Sequence, residues 1–353
     1  MPCIIKFSGK TKGFVSFTKE ESSNIGSFDS LRDKWVIGLH HNWQPSTHDG
    51  RFDVNLIGKQ FMSTSGAPVI DMGASNFIPS DYCRTSYNNK HWDILYTPRT
   101  VNFKRISAFL NVIRTLYDNG YYYRVLLVAC NPPTGTPGRE PENLLEDYKK
   151  MFSHDERKRF NLLEMNYNYP FTFDKETLSL FFKSSKIFVH MAQVENWSRI
   201  SAQAHACGMP LVSYPCQATR LPTNLRKPPV NYVGNNDSEI VSNIVSALSD
   251  YEKYYDSDEI VSASEFFNYE KTKERFKFMI KDFFKSINLE CDYSDGFNMN
   301  NLDRRITRHT GKSIGDNKVP MDIEKFISIL KSDVEFNSSD EDLEMSISRG
   351  NYE

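Results

Sequence analysis

Between about residue 96 and residue 285, short apolar runs of strand length alternate with longer segments whose apolar residues recur at helical spacing. This alternation most constrains the fold, because a chain that repeats strand and helix in this way buries both faces of a parallel sheet under helices. Tyr123 to Ala129 (YRVLLVA) reads as a buried strand stopped by Asn131, Pro132 and Pro133. Ahead of it, Lys104 to Tyr117 places Ile106, Phe109, Leu110, Ile113 and Leu116 on one helical face. A polar helix near 141–152, a strand near 160–165, a helix at 175–183 and the strand 186–191 (KIFVHM) follow. A helix near 198–207 should stop at Gly208, with Pro210 opening the strand 211–214. Tyr232 and Val233 form a short strand, Asp237 begins a helix, and 264–284 reads as one long closing helix with Phe266, Phe267, Phe276, Met279, Phe283 and Phe284 as its apolar stripe.

The flanks differ. Residues 1–95 hold short strand candidates such as Trp35 to Leu39 among Gly, Ser, Asn and Pro, and 286–353 is polar, with an amphipathic stretch only at 323–330 and an acidic tail that reads as solvated. A length of 353 residues fits about two domains. With 43 basic and 45 acidic side chains the formal net charge is −2, so no overall field draws the chain to nucleic acid or anionic lipid. The six cysteines show no C-x-x-C pair and the eight histidines no metal-ligand spacing, so no metal site is expected. With no signal-peptide core and no membrane-length apolar run, a cytoplasmic protein with reduced thiols is expected. Gly9-Lys10-Thr11 and Gly311-Lys312-Ser313 lack the earlier glycine of a phosphate loop, because Ile4 and Ile306 stand there. The acidic pairs Asp256/Asp258 and Asp340/Asp342 follow no strand and read as solvated runs.

The most informative segment is Ser185 to Ser213, SKIFVHMAQVENWSRISAQAHACGMPLVS. A strand delivers Glu195 into a loop whose next amides, Asn196 to Ser198, begin a helix. Unpaired amides and the positive end of the helix dipole suit anions and hydroxyls there, at the carboxyl ends of a parallel sheet. The segment resembles the donor-binding signature of the family-4 retaining glycosyltransferases of GT-B architecture, approximately E-G-F-G-x-x-x-x-E-A-x-A-C-G-x-P-V-V. Glu195 falls on the first Glu, Trp197 on the aromatic, Ser198 on the second Gly, and Ala204, Ala206, Cys207, Gly208 and Pro210 on the A-x-A-C-G-x-P run. Gln203 stands where the second Glu, a ribose ligand, would be; its carbonyl oxygen can accept but carries no charge.

Upstream, YTPRTVNFKR (96–105) resembles the family's G-R-x-x-x-x-K-G, with Arg99 and Lys104 as the basic pair on the donor diphosphate and Pro98 in place of the Gly before the Arg. The helix and strand at 175–189 and the closing helix at 263–284 match in order, so the resemblance covers about 96–285. It implies a GT-B-like α/β protein of two Rossmann-like parallel-sheet domains: a reduced acceptor-side domain at 1–95, a donor domain at 96–285, and an extension at 286–353 that can pack back on the first. In the N-terminal part, His40 or His41, after the strand Trp35 to Leu39, is the candidate for a histidine facing the reacting sugar. Ser8 to Gly13, with Gly9 and Gly13, is the candidate acceptor-side loop.

The implied activity is transfer of a hexose from a nucleotide diphosphate sugar to a hydroxyl acceptor, with retention and without metal or other cofactor. Arg99 and Lys104 would stabilise the leaving diphosphate, and Glu195, Asn196, Trp197, Ser198 and Gln203 would hold the donor. Protein, glycan, lipid and modified base all remain open as acceptor. A donor-domain relic that only binds nucleotide sugar or a partner protein, and a sugar-nucleotide epimerase, are the alternatives.

Overall fold

The computed structural model describes residues 3–6, 12–18, 22, 25–41, 46–58, 61–72, 76–131, 140–165, 173, 175–192, 198–215, 221–289, 298–300, 327, 328, 330 and 331. The chain divides into two compact units, Met1–Phe77 with Lys273–Glu353, and Ile78–Thr272. The expected boundary after residue 95 falls inside a strand, and that after 285 falls at the end of a helix. Among the described residues no helix is long and apolar enough to cross a membrane.

The unit Ile78–Thr272 is built on six strands: β6 (Trp92–Tyr96), β7 (Val125–Cys130), β8 (Phe160–Met165), β9 (Ser185–His190), β10 (Leu211–Ser213) and β11 (Asn231–Val233). All pair in parallel, in the order β11-β10-β9-β6-β7-β8. Chain order thus runs outward from β6 through β7 to β8, then returns to β9 on the other side of β6. The reversal lies between β6 and β9, where the crossovers diverge and leave a crevice at the carboxyl edge of the sheet.

The helices of this unit include α1 (Ile106–Asp118), α2 (Leu144–Met151), α3 (His154–Arg157), α4 (Lys175–Lys183), α5 (Arg199–Ala206), α6 (Asp237–Ser249) and α7 (Asp258–Phe266), with a further single turn at Tyr251–Tyr254. The apolar face read for α1 is buried as expected: Ile106, Phe109, Leu110, Ile113 and Leu116 are all at or below 1% exposure and pack on the strands. The long closing helix expected over 264–284 is instead two helices, α7 and α8 (Tyr269–Ser286). Asn268 separates them because its side-chain oxygen caps the new start, accepting from Lys271 N at 3.2 Å.

Helix α1 follows the loop that carries Arg99 and Lys104, and its outer face is anchored by Arg114. That guanidinium donates to Glu156 Oε1 at 2.6 Å and to the Met151 carbonyl at 3.0 Å. Glu156 also closes a capping box at the start of α3 with Ser153. The Arg114 hydrogen bond, reinforced by the Ser153 contacts, pulls the Glu156 carboxyl down from its ordinary 4.5 to about 2. A carboxyl lowered on folding contributes stability above its unfolded value and loses it as pH falls through the folded value. Glu156→Gln should therefore flatten the fall in stability between about pH 4.5 and pH 2, read by urea unfolding across that range.

The other unit holds β1 (Cys3–Lys6), β2 (Gly13–Thr18), β3 (Trp35–His40), β4 (Val54–Leu56), β5 (Val69–Ile70) and β12 (Asn298–Asn300), in the order β12-β1-β2-β3-β4-β5. Strands β2 to β5 are parallel; β1 runs antiparallel to both β2 and β12. Gly38 in β3 is required by packing, since a Cβ there would lie 2.7 Å from both Leu56 Cδ1 and Phe14 Cζ. Phe276 of α8 sets its ring edge against Phe14 and Phe77, at centroid distances of 6.1 and 5.3 Å. Leu330, from the far end of the chain, is buried among Val15, Phe17, Phe28 and Trp35, and its carbonyl accepts from the Trp35 indole at 2.9 Å. Leu330→Ala should destabilise this unit by about 2–3 kcal/mol. Trp35→Phe, which loses one hydrogen bond, should cost about 1 kcal/mol; urea unfolding measures both.

Candidate functional site

Two segments leave the neighbouring strands β6 and β9 at the carboxyl edge of the sheet. The first leaves β6 and prolongs its pairing with β7: Cys130 N donates to the Pro98 carbonyl at 3.0 Å and Thr100 N to the Cys130 carbonyl at 2.9 Å. These bonds use the carbonyl of Pro98 and not its missing N–H, so proline is accommodated where the resembling family has glycine. Thr100 Oγ1 donates to Asn131 Oδ1 at 2.8 Å. With its backbone bridged to Cys130, Arg99 presents an exposed side chain. A 3-10 turn at Asn102–Lys104 follows, its last carbonyl accepting from the Tyr96 hydroxyl, and the Lys104 ammonium lies 5.2 Å from the Phe103 ring centroid. The two basic residues expected on a diphosphate thus stand on one loop at the carboxyl edge, before α1 rather than within its first turn.

The second loop leaves β9 and enters α5. Glu195, Asn196 and Trp197 lie outside the described residues, as does Gly9. Ser198 is the N-cap of α5, and its hydroxyl accepts from Ser201 N at 3.2 Å. Gln203 lies one turn further along and is 8% exposed. The rest of the motif makes the fold. Ala202, Ala204, Ala206 and Cys207 are buried against the sheet, and burial pushes the Cys207 thiol up to about 12, so it packs as a neutral side chain. Gly208 takes φ +71° and closes α5, with Gly208 N on the His205 carbonyl at 2.8 Å and Met209 N on the Ala204 carbonyl at 3.0 Å. The His205 ring stacks on Phe267 at 5.8 Å, and burial pulls its pKa down to about 4, leaving it neutral.

A third group at this edge escaped the sequence reading. Arg105 joins the 3-10 turn to α1 with φ +54°, a left-handed conformation that costs a non-glycine residue about 1 kcal/mol. Its Nη2 donates to Asp237 Oδ1 at 3.3 Å, and its guanidinium carbon lies 4.4 Å over the Tyr214 ring. The Tyr214 hydroxyl donates to the same Asp237 oxygen. Asp237 opens α6, where the helix dipole favours a carboxylate. Tyr214 follows β10 and Asp237 follows β11, so residues from three loops meet. Only the adjacency of Arg105 to Lys104 hinted at it in the sequence.

In the other unit, Gly13 is the first residue of β2, paired with Trp35, so it belongs to a strand and not to a loop. His40 ends β3 with its ring buried; burial lowers its pKa to about 3, and among the described residues neither ring nitrogen has a hydrogen-bond partner. His41, the next residue, is buried and hydrogen-bonded. Its Nε2 lies 2.8 Å from Asn55 Oδ1, and the Asn55 amide nitrogen lies 3.0 Å from the Pro68 carbonyl and 2.8 Å from His48 Nδ1. A carbonyl can only accept, so Pro68 fixes the orientation of the amide, and the rest follows. His48 Nδ1 carries a lone pair, and His41 Nε2 carries a proton. Long-range proton–nitrogen correlation spectra at neutral pH should show Nε2–H on both rings, with Nδ1 of His48 unprotonated.

No family model and no curated protein matches this sequence. Solved structures match it by fold. Sucrose-phosphate synthase from Thermosynechococcus elongatus aligns with a TM-score of 0.53 at 11% identity, covering 72% of this chain and 70% of that one. A GtfA/B complex aligns with a TM-score of 0.52 at 11% identity, covering 74% of this chain and 56% of that one. Likeness at this identity is likeness of fold, and the chain has a GT-B-like fold with two sheets built on parallel strands.

Proposed function

We propose that this chain is a glycosyltransferase that moves a hexose from a nucleotide diphosphate sugar to a hydroxyl acceptor. The observation that carries the reading is the convergence of two motifs far apart in sequence. The loop with Arg99 and Lys104 leaves β6, and the second motif begins at the end of its neighbour β9, so both start from the carboxyl edge where the strand order reverses. The fold likeness supports the class, and the motif resemblance supports a family-4 type of reaction, with retention and no metal or other cofactor.

In this mechanism the bond between the anomeric carbon and the diphosphate oxygen breaks, and its electron pair passes to that oxygen. Arg99 and Lys104 meet the charge that builds there. The acceptor oxygen bonds to the same face of the anomeric carbon, and its proton goes to the departing phosphate. Glu195, with the amides of Asn196 to Ser198, orients the sugar hydroxyls, and Gln203 accepts from the ribose through its amide oxygen. His41, protonated on Nε2, is assigned to the reacting side of the sugar.

A charge-assisted contact made in the transition state is worth about 1.5 to 3 kcal/mol, or roughly tenfold to a hundredfold in rate. Arg99→Ala and Lys104→Ala should each lower nucleoside diphosphate release by at least about tenfold. The assay screens UDP-, GDP- and ADP-hexoses with an acceptor library, and a chelator should leave the rate unchanged. A protein that binds these donors and releases no nucleoside diphosphate is a relic and not a transferase. Unchanged turnover in both variants removes the assigned site.

A further inference from the structure

Arg105 sits where the resembling motif has a glycine, and it holds the left-handed backbone conformation that glycine adopts most readily. An arginine in that conformation is retained by its surroundings: one nitrogen on Asp237, and the guanidinium face on Tyr214 at 4.4 Å. Tyr214 and Asp237 are themselves hydrogen-bonded. The guanidinium has little left to offer a ligand, since Nη2 is engaged by Asp237, one face is covered by the ring, and Nη1 is shut off from solvent without a hydrogen-bond partner among the described residues. Direct contact with a substrate is therefore the weaker role for it.

Its backbone, by contrast, decides a great deal. Residue 105 turns the chain out of the 3-10 turn ending at Lys104 and into α1. The direction of that turn sets where Lys104 points and how the preceding loop, with Arg99, lies along the edge of the sheet. The clamp ties this loop to the segments after β10 and β11, two strands on the far side of β9. The loop is fastened on its near side by the Thr100 and Pro98 bonds to β7, and the clamp fastens its other end.

We propose that Arg105 is a positioning residue: clamped by Asp237 and Tyr214, it holds the Arg99–Lys104 loop in the geometry that grips the diphosphate of a nucleoside diphosphate. This rests on the donor-site reading above and adds to it a residue that does not contact the donor and replaces the motif's last glycine.

The test is calorimetric titration of the full chain and of Arg105→Gly and Asp237→Asn with UDP, GDP and ADP, each beside its monophosphate. Glycine suits the backbone at 105, and Asp237→Asn leaves that backbone untouched, so loss of folding does not confound both. Each variant should weaken the best-bound diphosphate about tenfold and its monophosphate less than about twofold, and the double variant should be no weaker than Arg105→Gly alone. Equal weakening of monophosphate and diphosphate marks a general structural role and overturns the proposal, as does an unchanged diphosphate affinity in Arg105→Gly. A wild-type chain that binds none of the three diphosphates overturns the donor-site reading itself, and is distinguished by requiring no variant.

Discussion

The reversal of strand order between β6 and β9 is the constraint on which the site depends. Right-handed crossovers carry the chain from β6 to β8 in one direction and from β9 to β11 in the other. The connections leaving β6 and β9 therefore diverge, and no crossover covers the carboxyl edge between them. Among the described residues, Arg99 is held at this edge by prolonged pairing with β7, Ser198 as the cap of α5, and Asp237 at the head of α6. Backbone hydrogen bonds and helix capping fix these positions.

The motif that carries the resemblance divides into two kinds of residue. Ala204, Ala206, Cys207, Gly208 and Pro210 make the helix-to-strand junction: small side chains under the sheet, a glycine in the left-handed conformation, and a proline leading into β10. Their physical work is packing and chain reversal, and a protein with no enzymatic activity has the same need of them. Glu195, Arg99 and Lys104 are different, because no packing argument calls for an exposed cation at 99 with a second, half-buried cation at 104. The functional reading rests on that second kind of residue.

Legibility in the sequence followed locality. The face of α1, the strand β7 and the stop at Gly208 were readable because periodicity and end signals act over a few residues. The break at Asn268 was missed, since the apolar stripe runs on through it and only the capping oxygen marks the new start. Long-range pairings leave no local signal, so a return of 286–353 to the first domain could be expected only in outline. Neither the β1–β12 pairing nor the place of Leu330 beside Trp35 has a local signature, and the Arg105, Tyr214 and Asp237 cluster joins three loops spread over more than a hundred residues. The histidines show the same limit: nothing in the local pattern tells that His41 meets the buried Asn55 amide while the ring of His40 has no hydrogen-bond partner among the described residues.

The central claim is that a nucleoside diphosphate binds at the carboxyl edge between β6 and β9. Amide hydrogen exchange of the full chain, with and without saturating UDP or ADP, tests it most directly. Protection centred on residues 97–106 and 192–203, with a weaker effect at 234–240, is the expected footprint. Protection at the opposite edge, in 84–92, 208–210 and 251–256, or confined to residues 1–77, contradicts it.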